Sequence, residues 1–317
     1  MLIRHALTLA AAASLAGACP PRPSVAVVAA ASNTANPNTN TRFTDVRDKL
    51  LATGRYESVG IISTTQFQNG ADLTLADLAP YDAIITWSND SHEDSEGLGD
   101  LLADYVDSGG GVVVAVFANT STNTARQIRG RWLAEGYNLI PIGSNWKGTA
   151  APGRSIGTRI VPGHPILAGV DTFFAFGYIA DGIGPWGAFR PNTTEVVNGG
   201  QKIALWDDDS TLVVVGPKQV VELGMHPVSS DVNALGYWDA TTDGDILMAN
   251  ALDFVMSPHC DADWDASGGQ PDSSDFLAYL NDYASSEPCA DLAPTGGDGS
   301  WDSSDFLAFL NLYANGC

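Results

Sequence analysis

The sequence predicts a doubly wound α/β domain over residues 24–256, followed by a small all-α domain over 257–317. Three observations carry this. Apolar runs alternate with amphipathic stretches through the first part, as parallel strands joined by helices require. The last part is a duplication: PDSSDFLAYLNDY at 271–283 returns as WDSSDFLAFLNLY at 301–313, a shift of 30 residues. Charge divides the chain at the same point. Residues 260–317 hold 11 of the 37 acids and no Lys or Arg; the other 26 acids share the rest of the chain with all 15 bases.

The N-terminus reads as a signal peptide over 1–18. Arg4 and His5 precede the apolar run ALTLAAAASLAGA, and Ala16-Gly17-Ala18 fits a small-x-small cleavage site. A secreted or cell-surface protein is expected. A lipoprotein anchor on Cys19 is the weaker reading, because Ala16 stands where such signals usually carry Leu. No later stretch reaches ~18 uninterrupted apolar residues, so no transmembrane segment is expected. A net charge of −22 argues against nucleic acid and anionic membranes as partners.

From residue 24 the elements follow in order. SVAVVAA (24–30) is a continuous apolar run of the kind buried parallel strands show. FTDVRDKLLATG (43–54) reads as a helix stopped by glycine. VGIIST (59–64) is a strand, and LADLAPYDAIITWS (75–88) gives a short helix and then a strand. LGDLLADYVDSGGG (98–111) is an amphipathic helix running into VVVAVF (112–117), a buried strand. Beyond 130 the pattern turns β-like, through FFAFGYIA, KIALWD, TLVVVG and QVVELGM, and GDILMANALDFVM (244–256) closes the domain as a helix.

YDAIITWSN, LADYVDSGGGVVVAVF, HPIL (164–167), VVELGMHP (220–227) and DILMANALDFV (245–255), taken in that order, resemble the class I glutamine amidotransferase-like superfamily near its ThuA-like members. The resemblance spans most of 24–256. It implies a flavodoxin-like sheet with a pocket at the carboxyl ends of its strands. The superfamily's catalysis does not carry over. The turn after 112–117 is ANTST, no G-x-C-x-G or G-x-S-x-G elbow occurs, and no Cys lies between 20 and 259.

Candidate pocket residues are His92 and His226, both placed after strands. A carbohydrate-directed hydrolase or isomerase acting near them is the enzymatic alternative; turn or core histidines are the plainer reading. Pairing Ser121 with His226 or His164 would need an elbow that is missing. His92, Glu93, Asp94 and Glu96 could hold a metal, or the acids could simply favour the start of a helix. Six tryptophans (Trp87, Trp132, Trp146, Trp186, Trp206 and Trp238) are either core or sugar-stacking surfaces.

In the duplication, Asp261, Asp263 and Asp265 alternate, and Asp272 and Asp275 follow. Hard carboxylate oxygens at alternating positions, closed by a further acid, are what a Ca²⁺ loop supplies. Asp261 to Asp275 is 14 steps where an EF-hand uses 11, so about three residues must bulge near Gly268-Gly269. The second copy keeps Asp291, Asp302 and Asp305, with Asp298 as a substitute ligand; Ala293 and Thr295 replace the other acids. Helix capping alone would explain Asp272, Asp275, Asp302 and Asp305, but not Asp261, Asp263 and Asp265.

The paired loop-helix units and the terminal Asn315-Gly316-Cys317 resemble a dockerin of the Gly-Cys-ending type. That resemblance implies bound Ca²⁺, a cohesin-like protein as partner, and partner contacts through Ser273, Ser274, Ser303 and Ser304. Polysaccharide is a further possible partner. How Cys260, Cys289 and Cys317 pair is left open.

Overall fold

A computed structural model describes residues 22–31, 36–65, 73–256, 262, 264, 271–293 and 299–315. The expected signal peptide, Asp261, Asp263, Asp265 and Asp298, and Cys260 and Cys317 lie outside the described residues. The chain divides into two compact units, one of them Arg22–Pro258 and the other containing His259–Cys317.

In the first unit a ten-stranded sheet runs β2-β1-β3-β4-β12-β11-β10-β6-β7-β8. Its parallel half is β1 (Ser24–Ala29), β2 (Ser58–Ser63), β3 (Ala83–Thr86), β4 (Gly111–Ala115) and β12 (Val220–Leu223). That half has the flavodoxin strand order, 2-1-3-4-5. An antiparallel extension adds β11 (Thr211–Val215), β10 (Gln201–Trp206), β6 (Gly153–Arg159), β7 (Phe174–Ala180) and β8 (Gly184–Gly187). A separate pair joins β5 (Trp146–Lys147) to β9 (Arg190–Pro191). The unit's helices are α1 (Thr41–Ala52), α2 (Leu75–Leu78), α3 (Ser95–Asp107), α4 (Arg131–Ala134) and α5 (Gly244–Val255).

The apolar runs lack polar alternation because helices cover both faces of the parallel half. Val25, Val27 and Ala29 point to one face, against Phe43, Val46 and Leu50 of α1 and Leu247, Ala251 and Val255 of α5. Ala26 and Val28 point to the other, with Leu98, Leu102 and Val106 of α3. Each strand thus feeds two cores through its two-residue period. Gly99 lets α3 press on the segment just before α4: a Cβ there would collide with the Arg129 carbonyl.

In the second unit α6 (Ser273–Ala284) and α7 (Ser303–Asn315) are the two repeat helices. Trp264, Tyr279, Ala290 and Phe309 form its core, flanked by Phe276, Tyr283, Phe306 and Tyr313. Helical spacing predicts one apolar face through Phe276, Leu280 and Tyr283. The structure centres it on Tyr279, with Asp275 and Asp282 buried one turn to either side. Those two acids hid the true centre, since buried carboxylates break an apolar pattern. Cys289 is disulfide-bonded.

Candidate functional site

All five parallel strands point their carboxyl ends to one edge. The connections reverse direction between β1 and β3, and ligands in such sheets bind in the crevice just outside that point. Three segments meet there. Asn89 donates its amide to the Ala30 carbonyl (2.6 Å), and Phe117 donates to Ser88 (3.1 Å). The Ser88 hydroxyl donates to the Arg126 carbonyl (2.8 Å), tying the 124–126 turn to the end of β3.

His226 follows β12 and is 4% exposed. Its Nδ1 lies 3.0 Å from the Val116 carbonyl oxygen. A carbonyl only accepts, so Nδ1 carries the proton and Nε2 keeps its lone pair. That Nε2 is buried without a hydrogen-bond partner among the described residues. Burial pushes the imidazole down to about 4; the Val116 carbonyl opposes this, and the positive charges of Arg42 and Arg126 add to it. The ring is therefore neutral near pH 7, with an open acceptor. Around it stand Trp87 edge-on at 5.3 Å, Tyr237 at 5.0 Å and Phe117 at 5.6 Å between ring centroids.

His92 is 3% exposed and holds the loops together. Its amide donates to Ala125 (2.8 Å) and its Nδ1 is 2.7 Å from the Thr64 hydroxyl. Burial pushes its ring down to about 4, against the pull of the Arg126 carbonyl. The 124–126 turn therefore reaches both predicted histidines. Asp94 caps α3, accepting from the Glu96 and Gly97 amides (3.1 and 2.9 Å), as the capping reading of that acidic loop requires. His164 is a turn residue whose Nδ1 accepts from the Ile166 amide (3.2 Å). Ser121 is buried, with its hydroxyl accepting from Asn123.

Sequence reasoning missed Arg42 and Arg126. Arg42 sits in the first turn of α1, whose cap Asn40 accepts the Arg42 amide (3.0 Å). The Arg126 guanidinium lies 5.8 Å from the Phe117 ring centre. Neither side chain forms an ion pair or hydrogen bond among the described residues, and both Nε atoms are buried without partners, as is Trp87 Nε1. The one legible signal was the placement of Arg42 at the start of the helix that follows the first strand. Of the tryptophans, Trp87, Trp132, Trp206 and Trp238 are buried; Trp146 and Trp186 are partly exposed and meet edge-on 5.0 Å apart.

In the second unit the two copies repeat one hydrogen-bond pattern. The Asp272 amide donates to Asp275 (2.8 Å) and the Asp302 amide to Asp305 (2.8 Å). The Ser274 and Ser304 amides donate to Asp272 and Asp302, at 2.7 Å each. Asp305, fully buried, also accepts the Leu292 and Ala293 amides (2.8 and 2.7 Å) from the start of its loop. Asp291 accepts the Gly299 amide (2.6 Å), closing that loop. Among the described residues no three metal-ligating side chains gather. Ser273, Ser274, Ser303 and Ser304 are all exposed, as are Leu277 (60%) and Leu307 (58%) one turn further on.

No protein-family model and no curated protein matches the chain. Among solved structures, a ThuA-like protein from Bacteroides uniformis is similar at 16% identity, over 80% of this chain and 96% of that one, with a TM-score of 0.46. A ThuA-like protein from Parabacteroides merdae is similar at 13% identity, over 75% and 91%, with a TM-score of 0.46. A β-galactosidase from Rahnella sp. R3 is similar at 15% identity, over 75% of this chain but 32% of that one, with a TM-score of 0.44.

Proposed function

We propose that the chain is a secreted or cell-surface binding protein: an amidotransferase-like, ThuA-like domain without a thiol nucleophile, held in place by a Ca²⁺-dependent, dockerin-like module. The observation that carries this is the equivalence of α6 and α7. The same two acids cap each helix with the same bonds, and each helix offers two exposed serines and an exposed leucine to a partner. Capping accounts for Asp272 and Asp302; Asp275 and Asp305 are buried at the mouths of their loops, where Asp305 also gathers the Leu292 and Ala293 amides. Carboxylates that close oxygen-rich loops suit a hard divalent ion. Asp272, Asp275, Asp291, Asp302 and Asp305, together with Asp261, Asp263, Asp265 and Asp298 of the same loops, would supply the oxygens. A cohesin-like domain is the proposed partner.

The test is capture of a cohesin-like domain by the full chain. Capture should require Ca²⁺, vanish with chelator, and weaken when Ser273, Ser274, Ser303 and Ser304 are all replaced by Ala. Ca²⁺-independent capture, or full capture by the quadruple variant, would overturn the docking surface.

A second reading rests on His226. A buried neutral imidazole with an open Nε2 can take a proton from a substrate hydroxyl. This favours a carbohydrate-directed isomerase or hydrolase near His226 and His92. Turnover of a sugar that His226→Gln abolishes would establish it.

A further inference from the structure

We infer that the crevice between the ends of β1 and β3 binds a hydroxylated oxyanion, a sugar acid or sugar phosphate, with Arg42 and Arg126 on the anion and His226 Nε2 accepting from a ligand hydroxyl. This rests on the reading that the carboxyl edge of the sheet is a binding surface, and it names the ligand class.

The argument begins with charge. The chain has 37 acids and 15 bases, and among the described residues some cations use other partners than carboxylates: Arg159 donates to the Val170 and Asp171 carbonyls and Lys218 lies over the Tyr137 ring. Arg131, Arg190, Arg55 and Lys147 all hold close carboxylates. Arg42 and Arg126 hold none among the described residues, yet they lie 84 residues apart in the sequence and both send their charge to His226. Both arginines are half-buried with a partnerless Nε, and leaving such a charge uncompensated costs free energy that a bound anion would recover. The start of α1 adds to this. Arg42 belongs to its first turn, where Asn40 already takes the amides of Arg42, Phe43 and Thr44, so the helix contributes only the positive end of its 12-residue dipole.

The tautomer then restricts the ligand. With Nδ1–H committed to Val116, His226 offers only an acceptor. A bare anion has no hydrogen for it; a ligand hydroxyl does. Trp87 Nε1 is a donor with no acceptor and suits a second ligand oxygen. The nearby aromatic wall of Phe117, Trp146 and Trp186 suits the apolar face of a sugar ring.

The experiment is calorimetry of the full chain with D-glucuronate, D-glucose 6-phosphate and D-glucose. An anionic sugar should bind more tightly than glucose, and Arg42→Gln and Arg126→Gln should each weaken the anion roughly tenfold to a hundredfold while leaving glucose unchanged. Preference for glucuronate or for the phosphate identifies the source of the anion, and either supports the inference. Equal binding of glucose, unaffected by the arginine variants, would overturn the anion assignment and leave the binding surface standing. No binding of any of the three would overturn both. The comparison among ligands on the unmodified chain decides the matter even if a variant fails to fold.

Discussion

Tyr279 and Phe309 lie face to face, with ring centroids 3.9 Å apart and planes 3° from parallel. They are the same position in the two copies of the repeat, 30 residues apart. The duplication thus closes on itself: each copy's most buried ring packs on its own counterpart. Phe309→Ala should cost about 3–5 kcal/mol, which a unit of this size cannot spare, and the helices of residues 271–315 should melt. Tyr279→Phe should do the opposite, since the Tyr279 hydroxyl is buried without a partner among the described residues. Its removal should be neutral or stabilising by about 1 kcal/mol. Circular dichroism during denaturation separates the two outcomes. A Tyr279→Phe variant as damaged as Phe309→Ala would show that the hydroxyl is bonded.

Asp305 should be the most sensitive carboxylate of the second loop. Burial alone would raise its pKa, but the amides of Asp302, Ala293 and Leu292 outweigh this and hold it below the usual carboxylate range. A depressed folded pKa contributes stability at neutral pH that is lost as pH falls through the folded value. Asp305→Asn should therefore reduce acid sensitivity below about pH 4 while weakening Ca²⁺ at neutral pH by at least about tenfold. Calcium titration of the full chain checks the second part. Unchanged heat in both Asp305→Asn and Asp275→Asn would remove these residues from the metal site.

The parallel half of the sheet was legible because its strands are buried on both faces and so spell unbroken runs such as AIIT and GVVVA. The strands β6 and β8, GRSIGTR and GPWG, were not. They are glycine-rich and mostly half-exposed, and distant pairing partners decide them rather than their own composition. The site divides the same way. His226 was visible because it follows an apolar strand. Arg126 was not, because nothing near it in sequence marks a turn that only the end of β3 brings beside His226. Tyr279 was hidden by the buried acids on either side of it along α6.

Arg190 is buried and depends on Asp208, which accepts from its Nε (3.0 Å) and Nη2 (2.7 Å) and sits 2.9 Å from Lys147. Burial would raise the Asp208 pKa; bonds from Arg190, Ser210 and Lys147 reverse this and hold it well below the usual range. Asp208→Ala strands a buried guanidinium and should cost about 3–5 kcal/mol. Replacing both Arg190 and Asp208 by apolar residues should recover part of that loss. Melting temperatures of the single and double variants test it; a double variant worse than Asp208→Ala would refute the argument.

Glu222 gives the pH dependence its sign. It sits on β12 with its carboxyl facing a small cleft shared with Asn119, Gln127 and Asn138, and accepts the Leu139 and Ile140 amides at 3.0 Å each. Burial pushes its pKa up to about 8, the two amides only partly opposing. An acid with a raised folded pKa holds its proton in the folded state and releases it on unfolding. Stability is then lost as pH rises from the unfolded value towards about 8. His92 and His226, pushed down to about 4, act in the opposite sense but only below their ordinary value of 6.5. The interval from about pH 6.5 to 8 thus isolates Glu222, where stability should fall by up to about 1.4 kcal/mol per pH unit. Glu222→Gln should start less stable, because its amide cannot accept both backbone N–H groups, and should be flat across that interval. Chemical denaturation at pH 6.5 and 8 measures both. An equal fall in the variant would place the titrating group elsewhere.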